Sequence, residues 1–181
     1  MNMTTEIDVL EDITATLDRL QIQYMLTGSF AMAFYAKPRM TRDIDIVLAI
    51  RREDVAALQA SLANDYYLDP DAARDAIDQQ RLFNLMHFAT GLKIDFIVRK
   101  SSAYRRTEFD RRQRVRLGSL EVWVVSREDL ILSKLEWAKQ TNSELQRNDI
   151  RQLLEDSLDS AYLRQWAHIL SVDAMLEDLT R

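Results

Sequence analysis

The chain of 181 residues has no cysteine, so it can form neither a disulfide nor a thiolate metal site. Histidine occurs twice, at His87 and His168, too far apart in sequence for a metal-ligand spacing. The uncharged stretch from Gln21 to Ala36 falls short of the ~20 apolar residues that cross a bilayer. The amino-terminal segment is acidic and has no basic run, which predicts no secretory signal and a cytoplasmic protein. A net charge of −5 argues against indiscriminate binding to nucleic acid. Glycine is scarce: of the three present, Gly91 and Gly118 fall at expected turns and Gly28 at a strand end. No internal repeat or low-complexity tract appears.

What is present centres on residues 25–48. A short apolar strand ends at Gly28-Ser29, an apolar helix is expected from Phe30 to Ala36, and the chain turns at Lys37-Pro38 before a second strand that carries Asp43 and Asp45. Side chains at i and i+2 share a face of a strand, so Asp43 and Asp45 project together with Val47, while Ile44, Ile46 and Leu48 point the other way. Two adjacent carboxylates on an apolar strand repel each other and resist burial, and a divalent cation between them would relieve both. The expected helix is apolar all round, which predicts burial. Its first N–H groups lack intrahelical partners and attract anions. Gly28 permits close approach of a ligand and Ser29 adds a hydroxyl. A third acid, Asp95, sits in the apolar strand Leu92 to Val98, flanked on its own face by Lys93 and Ile97.

Elsewhere the pattern is regular. Ile7, Leu10, Ile13, Leu17 and Leu20 predict an amphipathic helix over residues 5–20. A helix is expected from Arg52 to Ala63, a brief strand at Tyr66 to Leu68, and a short helix opened by Asp69-Pro70-Asp71. Arg81–Ala89 with Leu92–Val98, and Arg114–Leu117 with Leu120–Val125, read as hairpins. From Ser126 the chain is helical, with helices expected to Thr141, over Glu144–Leu158 and over Ser160–Leu170. This order gives an α/β (α+β) mixed-sheet core, residues 1–125, with a helical cap, residues 126–181. On the helix from residue 127 to 141, Leu130, Ile131, Leu135, Trp137 and Ala138 define the expected buried stripe, and Lys134 falls within it, so its ammonium must snorkel or meet an anion. Asp149 borders the apolar face of the next helix and could pair with Lys134. His87, Trp123, Trp137 and Trp166 are best explained by packing. The run from Arg99 to Arg116 holds eight basic side chains against two acids, leaving −11 for the rest of the chain. It reads either as a solvated surface or as a stripe for phosphates of a nucleotide or RNA.

Gly28-Ser29, the helix, Asp43-Ile44-Asp45 and the later Asp95 together resemble the minimal nucleotidyltransferase pattern of the DNA polymerase β superfamily. The run Tyr35-Ala-Lys-Pro-Arg39-Met-Thr41-Arg-Asp43-Ile-Asp45 is similar to the AbiEii/MenT-type branch, with Ala36 where glycine is usual. The resemblance spans roughly residues 5–155. It implies that Asp43 and Asp45 hold two Mg²⁺ ions, for which Mn²⁺ can substitute, and that Asp95 holds the one activating the acceptor hydroxyl. It also implies that Gly28, Ser29, Lys134 and Arg39 serve the nucleotide, with Thr41 and Asp149 in support. The expected reaction moves an NMP from an NTP to an acceptor hydroxyl, with RNA (a tRNA 3′ end) as acceptor and the chain as the toxin of a toxin–antitoxin pair. The alternatives are transfer of AMP to a protein or an aminoglycoside, and a silent nucleotide- or partner-binding module.

Overall fold

Alternating apolar positions in the strands build the sheet, and the register decides which side chains share each face. The computed structural model describes residues 5–37, 43–118, 120–154 and 157–180. In chain order the elements are α1 (Glu6–Arg19), β1 (Gln23–Thr27), α2 (Gly28–Met32), β2 (Asp43–Ala49), α3 (Asp54–Leu62), β3 (Tyr66–Leu68), α4 (Pro70–Asp78), β4 (Leu82–His87) and β5 (Lys93–Val98). They continue with α5 (Ala103–Asp110), β6 (Gln113–Leu117), β7 (Leu120–Val124), α6 (Arg127–Thr141), α7 (Glu144–Leu153), α8 (Ser160–Ile169) and α9 (Asp173–Thr180). The strands form one mixed sheet in the order β3-β4-β5-β2-β1-β7-β6. Pairs β2–β5 and β1–β7 are parallel; the others are antiparallel.

One face of the sheet is the core. Tyr24 and Leu26, Ile44, Ile46 and Leu48, Phe83 and Leu85, Ile94 and Phe96, and Val122 and Val124 are all buried there. Helices α1, α3 and α4 cover it, each packed on a strand or on its helical neighbour. α1 starts with a complete capping box: the Thr5 hydroxyl accepts from the Asp8 N–H, and the Asp8 carboxylate accepts from the Thr5 N–H. It buries Val9, Leu10, Ile13 and Leu17, while Ile7 stays exposed. α4 starts as its sequence predicts, with Asp69 accepting from two backbone N–H groups and Pro70 at the first helical position.

The C-terminal helices pack on one another, and α6 also packs against α2. Ser126 caps α6 by accepting from the Asp129 N–H. Buried Asp129 also accepts from the hydroxyls of Ser126 and Tyr162, at 2.5 and 2.7 Å, and pairs with Arg111 at 3.2 Å. α5 is stitched to α6 through Arg105, which bridges Glu108 (2.8 Å) and Glu136 (2.6 Å), and through Ser133, which donates to Glu108. Burial pushes the Glu108 carboxyl up, and Arg105 offsets part of that shift.

Three expectations change. The helix expected from Phe30 to Ala36 is α2, Gly28–Met32. After Met32 the chain passes into turns, with Phe34 N–H donating to Ala31 C=O and both the Tyr35 and Ala36 N–H groups donating to Met32 C=O, and Phe34 to Ala36 are only half-buried. The helix expected to reach Leu158 ends at Leu153, where Leu154 turns to extended backbone. Trp137, placed in the buried stripe, is 58 % exposed. At about 100° per residue it lies roughly 130° from the centre of the arc set by Ile131, Leu135 and Ala138.

Candidate functional site

The face of the sheet opposite α1, α3 and α4 carries the acids. Asp43 and Asp45 alternate with the fully buried Ile44 and Ile46 on β2, so the apolar alternation alone fixes their direction. Parallel pairing sets Asp45 directly beside Asp95 and Asp43 beside Lys93. The geometry expected from the sequence is therefore present: two strands bring three carboxylates to one face.

Asp45 is the pivot. Its carboxyl is pushed up to about 6, first by burial and then by the charges of Asp43 and Asp95, while Lys93 and Lys134 pull it down. All four neighbours thus act on it electrostatically. Gly28 closes the other side. With φ at +64°, a conformation glycine adopts at little cost, its missing side chain leaves room for the Asp45 carboxylate; a Cβ there would stand 2.0 Å from Asp45 Oδ2. The Gly28-Ser29 turn and the acid strand are therefore one site.

Asp95 is buried and engaged through both oxygens. Lys93 Nζ lies 2.9 Å from one, and the Asn84 side-chain amide donates to the other. Asn84 stands opposite Asp95 in the β4–β5 register. Sequence reasoning missed it; the alternation Leu82, Asn84, Met86 was the available signal, but only the register shows that it meets an acid.

Lys134 lies where the sequence places it, on the buried side of α6. It is 4 % exposed, with its ammonium 2.7 Å from Asp149 and 3.1 Å from Gln146 of α7. Its pull on Asp45 ties this helix pair to the acids. Asp149, 1 % exposed, is thus the partner that orients Lys134. Tyr35 and Arg127 bind α6 to the segment after α2: the Tyr35 hydroxyl donates to the Val125 carbonyl at 2.7 Å, and Arg127 donates to the Tyr35 carbonyl at 2.9 Å. Arg39 and Thr41 lie outside the described residues.

The donor set suits a hard divalent cation. Carboxylate oxygens are its ligands of choice, and a cation among these acids would offset both the burial and the neighbouring charges that raise the Asp45 carboxyl. Among the described residues no group of three acids or histidines already stands as a metal-holding cluster, in keeping with the engagement of Asp95 by Lys93 and Asn84.

The basic run from Arg99 to Arg116 is solvated surface in part, as one of the two readings expects, with Lys100, Arg106, Arg114 and Arg116 exposed, and its other members are tied into the fold. Arg105 and Arg111 are spent on Glu108, Glu136, Glu128 and Asp129. Arg114 and Arg116 pair with Glu121. Arg112 lies over the rings of Phe109 and Trp123, and Arg99 over Phe109. His87 and Trp166 are packing residues as expected: His87 is buried against Tyr66 and bonded to Thr90, and Trp166 lies against Tyr104 and Tyr162. No helix of the described residues is long and apolar enough to cross a membrane.

Comparison with known proteins fits this geometry. A family model described as "Nucleotidyltransferase of unknown function (DUF6036)" matches residues 2–178. No curated protein matches the chain in sequence. Among solved structures, the chain is similar in fold to an antigenic nucleotidyltransferase-like protein from Paracoccidioides brasiliensis, with TM-score 0.59 and 17 % identity over 96 % of this chain and 91 % of that one. It is similar to the antibiotic-resistance factor ANT(2'')-Ia, with TM-score 0.60 and 13 % identity over 97 % and 92 %. It is also similar to the lincosamide antibiotic adenylyltransferase LnuA, with TM-score 0.57 and 14 % identity over 84 % and 98 %. The mixed α/β fold expected from the sequence is the fold of these proteins.

Proposed function

Given that the chain belongs to the DUF6036 family of nucleotidyltransferases, we propose that it moves a nucleoside monophosphate from an NTP to an acceptor hydroxyl at the face formed by Asp43, Asp45 and Asp95. The single observation carrying this reading is the Asp45 carboxylate, seated against Gly28 and electrostatically coupled to Asp43, Asp95 and Lys134 at once.

In the transfer, the acceptor oxygen bonds to the α-phosphorus, the α–β bridging oxygen leaves with pyrophosphate, and the acceptor proton passes to Asp95. Ser29 and the amides following Gly28 hold phosphate oxygens, and Lys134, kept in place by Asp149, neutralises the leaving charge. Asp43, Asp45 and Asp95 would hold Mg²⁺, for which Mn²⁺ would substitute, and the metal would supply charge neutralisation at the phosphates and lower the pKa of the attacking hydroxyl. Lys93, 2.9 Å from Asp95, neutralises that carboxylate and shares its face of the sheet.

For the acceptor, a small molecule is the better-supported reading. The cations that would follow an RNA backbone are mostly spent on the chain's own acids and rings. Two of the solved proteins that share this fold are, by name, an antibiotic-resistance factor and an antibiotic adenylyltransferase, so small acceptors have a precedent on it. The RNA-directed toxin reading, with a silencing partner, rests on the run from Tyr35 to Asp45, of which residues 38–42 lie outside the described residues.

The test is label transfer. Purified protein with Mg²⁺ and each α-labelled NTP should modify an acceptor, and Asp43→Ala should abolish it. Transfer that survives in Asp43→Ala removes this site from the reaction.

A further inference from the structure

The face that carries the acids continues past Asp95 as a row of exposed apolar side chains. Asn84 stands opposite Asp95 and donates to it. Leu82 and Met86 flank Asn84 on the same face, Tyr67 of β3 stands opposite Met86, and Phe88 follows the strand in the turn, its N–H donating to the Asp65 carbonyl just before β3 at 2.9 Å. Leu82 is 52 % exposed, Met86 38 %, Phe88 59 % and Tyr67 60 %, while Phe83, Leu85, His87, Tyr66 and Leu68 are buried on the other face. A solvated strand face ordinarily alternates apolar-in with polar-out. Here the outward positions are apolar, with one amide among them, and that amide touches the reaction centre.

The register also sets the direction from which an acceptor arrives. On the β1 side of the acids, α2 and the Gly28 turn take up the face, which assigns that side to the nucleotide. On the β5 side the face is open across β4 and β3. An acceptor whose hydroxyl reaches Asp95 must therefore lay its body over that row. From Leu82 to Phe88 the row spans seven residues, about 20 Å, and across β4 and β3 it is about 10 Å wide. That footprint is a fraction of the roughly 800 Å² that each partner contributes to a stable protein interface, and it fits a small molecule. The row's own side chains carry no charge near neutral pH; the charges that border it are Lys93, which stands opposite Met86 and is paired with Asp95 at 2.9 Å, and the acids that the transfer reading gives to the metal, so an uncharged body suits the row itself best.

We propose that Tyr67, Leu82, Met86 and Phe88 form the acceptor platform, with Asn84 as the positioning residue of Asp95, and that the acceptor is an uncharged, amphipathic small molecule bearing a hydroxyl. This rests on the transfer reading above: the acceptor oxygen takes the α-phosphorus, pyrophosphate leaves, and Asp95 receives the proton.

The experiment offers labelled NTP and Mg²⁺ with three kinds of acceptor: octyl glucoside and digitoxin as uncharged amphipaths, kanamycin as a polycation, and total tRNA. Label should appear on an uncharged amphipath. Leu82→Glu and Met86→Glu should raise the KM of that acceptor by at least about tenfold, a charge having been set against an apolar ligand face, with NTP·Mg²⁺ affinity by calorimetry moving less than about twofold. Label confined to kanamycin or tRNA, label on none of the three, or an acceptor KM unmoved by both variants overturns the platform. Failure of the underlying reading looks different, because calorimetry would then show no NTP·Mg²⁺ binding even in the unmodified protein.

Discussion

At the scale of single residues, Asp45 and Gly28 make the sharpest predictions, since each is held in a state that its surroundings must justify. Asp45 has its carboxyl raised from an ordinary 3.8 to about 6, so the folded protein binds this proton more tightly than the unfolded chain. The stability it confers is complete below pH 3.8 and is lost as pH rises through about 6, leaving the metal-free protein penalised near neutrality. At about 1.4 kcal/mol for each tenfold change in proton affinity, the penalty is of the order of 3 kcal/mol. Asp45→Asn should therefore raise the melting temperature of the metal-free protein at pH 7.5 by several degrees, at roughly 2–4 °C per kcal/mol, with the advantage gone by about pH 4. Melts in EDTA across that range check it, and a variant less stable than the parent at pH 7.5 would contradict a carboxylate penalised by burial and by its acidic neighbours. The same proton competes with metal, so Mn²⁺ affinity by calorimetry should weaken as pH falls below about 6. Gly28 and Gly91 share a left-handed backbone, at +64° and +66°, but only at Gly28 would a Cβ strike Asp45. Alanine at Gly91 should cost about 1 kcal/mol of stability and leave transfer intact, whereas Gly28→Ala should also lose at least about 100-fold in kcat/KM, because displacing a catalytic carboxylate by about 1 Å costs that much. Equal activity in the two variants would separate the glycine turn from the chemistry.

At the scale of elements, the α6–α7 pair holds one ammonium for the site. Lys134 and Asp149 are both almost wholly buried and 2.7 Å apart. Lys134→Met should destabilise the fold by about 3–5 kcal/mol, since it leaves the Asp149 charge without its closest cation, whereas Lys134→Met with Asp149→Leu should recover most of that loss. Neither variant should transfer label. Denaturant melts with activity assays separate the two effects, and a double variant that regains activity would remove Lys134 from the phosphate role. What was legible in the sequence divides at this scale. β2 was readable because its apolar residues alternate strictly, which aims Asp43 and Asp45 without any tertiary information. Lys134 was readable because a lysine within a helix's apolar stripe must find an anion. Asn84 was not, because a polar residue in an exposed strand row has no meaning until the register puts Asp95 opposite it. The end of α2 was not legible either: Phe30 to Ala36 is apolar throughout, and nothing in that composition marks the turns after Met32.

At the scale of the molecule, the basic run shows how a local reading of charge fails. From Arg99 to Arg116 the composition reads as a solvated surface or as a basic stripe for phosphates, because the acids that neutralise several of these residues lie far along the chain, at Glu136, Glu128 and Asp129. The folded chain turns Arg105 and Arg111 into ties between α5 and the C-terminal helices, through Glu108, Ser133, Asp129 and Tyr162. That arrangement predicts that residues 1–125 and 126–181 unfold together. Single-tryptophan variants keeping Trp123 in β7 or Trp166 in α8 should report the same urea midpoint, as a two-state transition requires. Glu108→Ala should cost about 1–3 kcal/mol, because Arg105 keeps Glu136 but loses its second carboxylate and Ser133 loses its acceptor, and should lower both midpoints together. Arg114→Ala, at the exposed edge of β6, should change stability by no more than about 0.5 kcal/mol. If the Trp166 signal moved first, α8 would be an independent unit and the ties through Arg105 and Arg111 would be surface contacts. If both signals move as one, the helical segment that supplies Lys134 is set in place by the fold of the sheet that supplies the acids, and the site is assembled only in the folded whole.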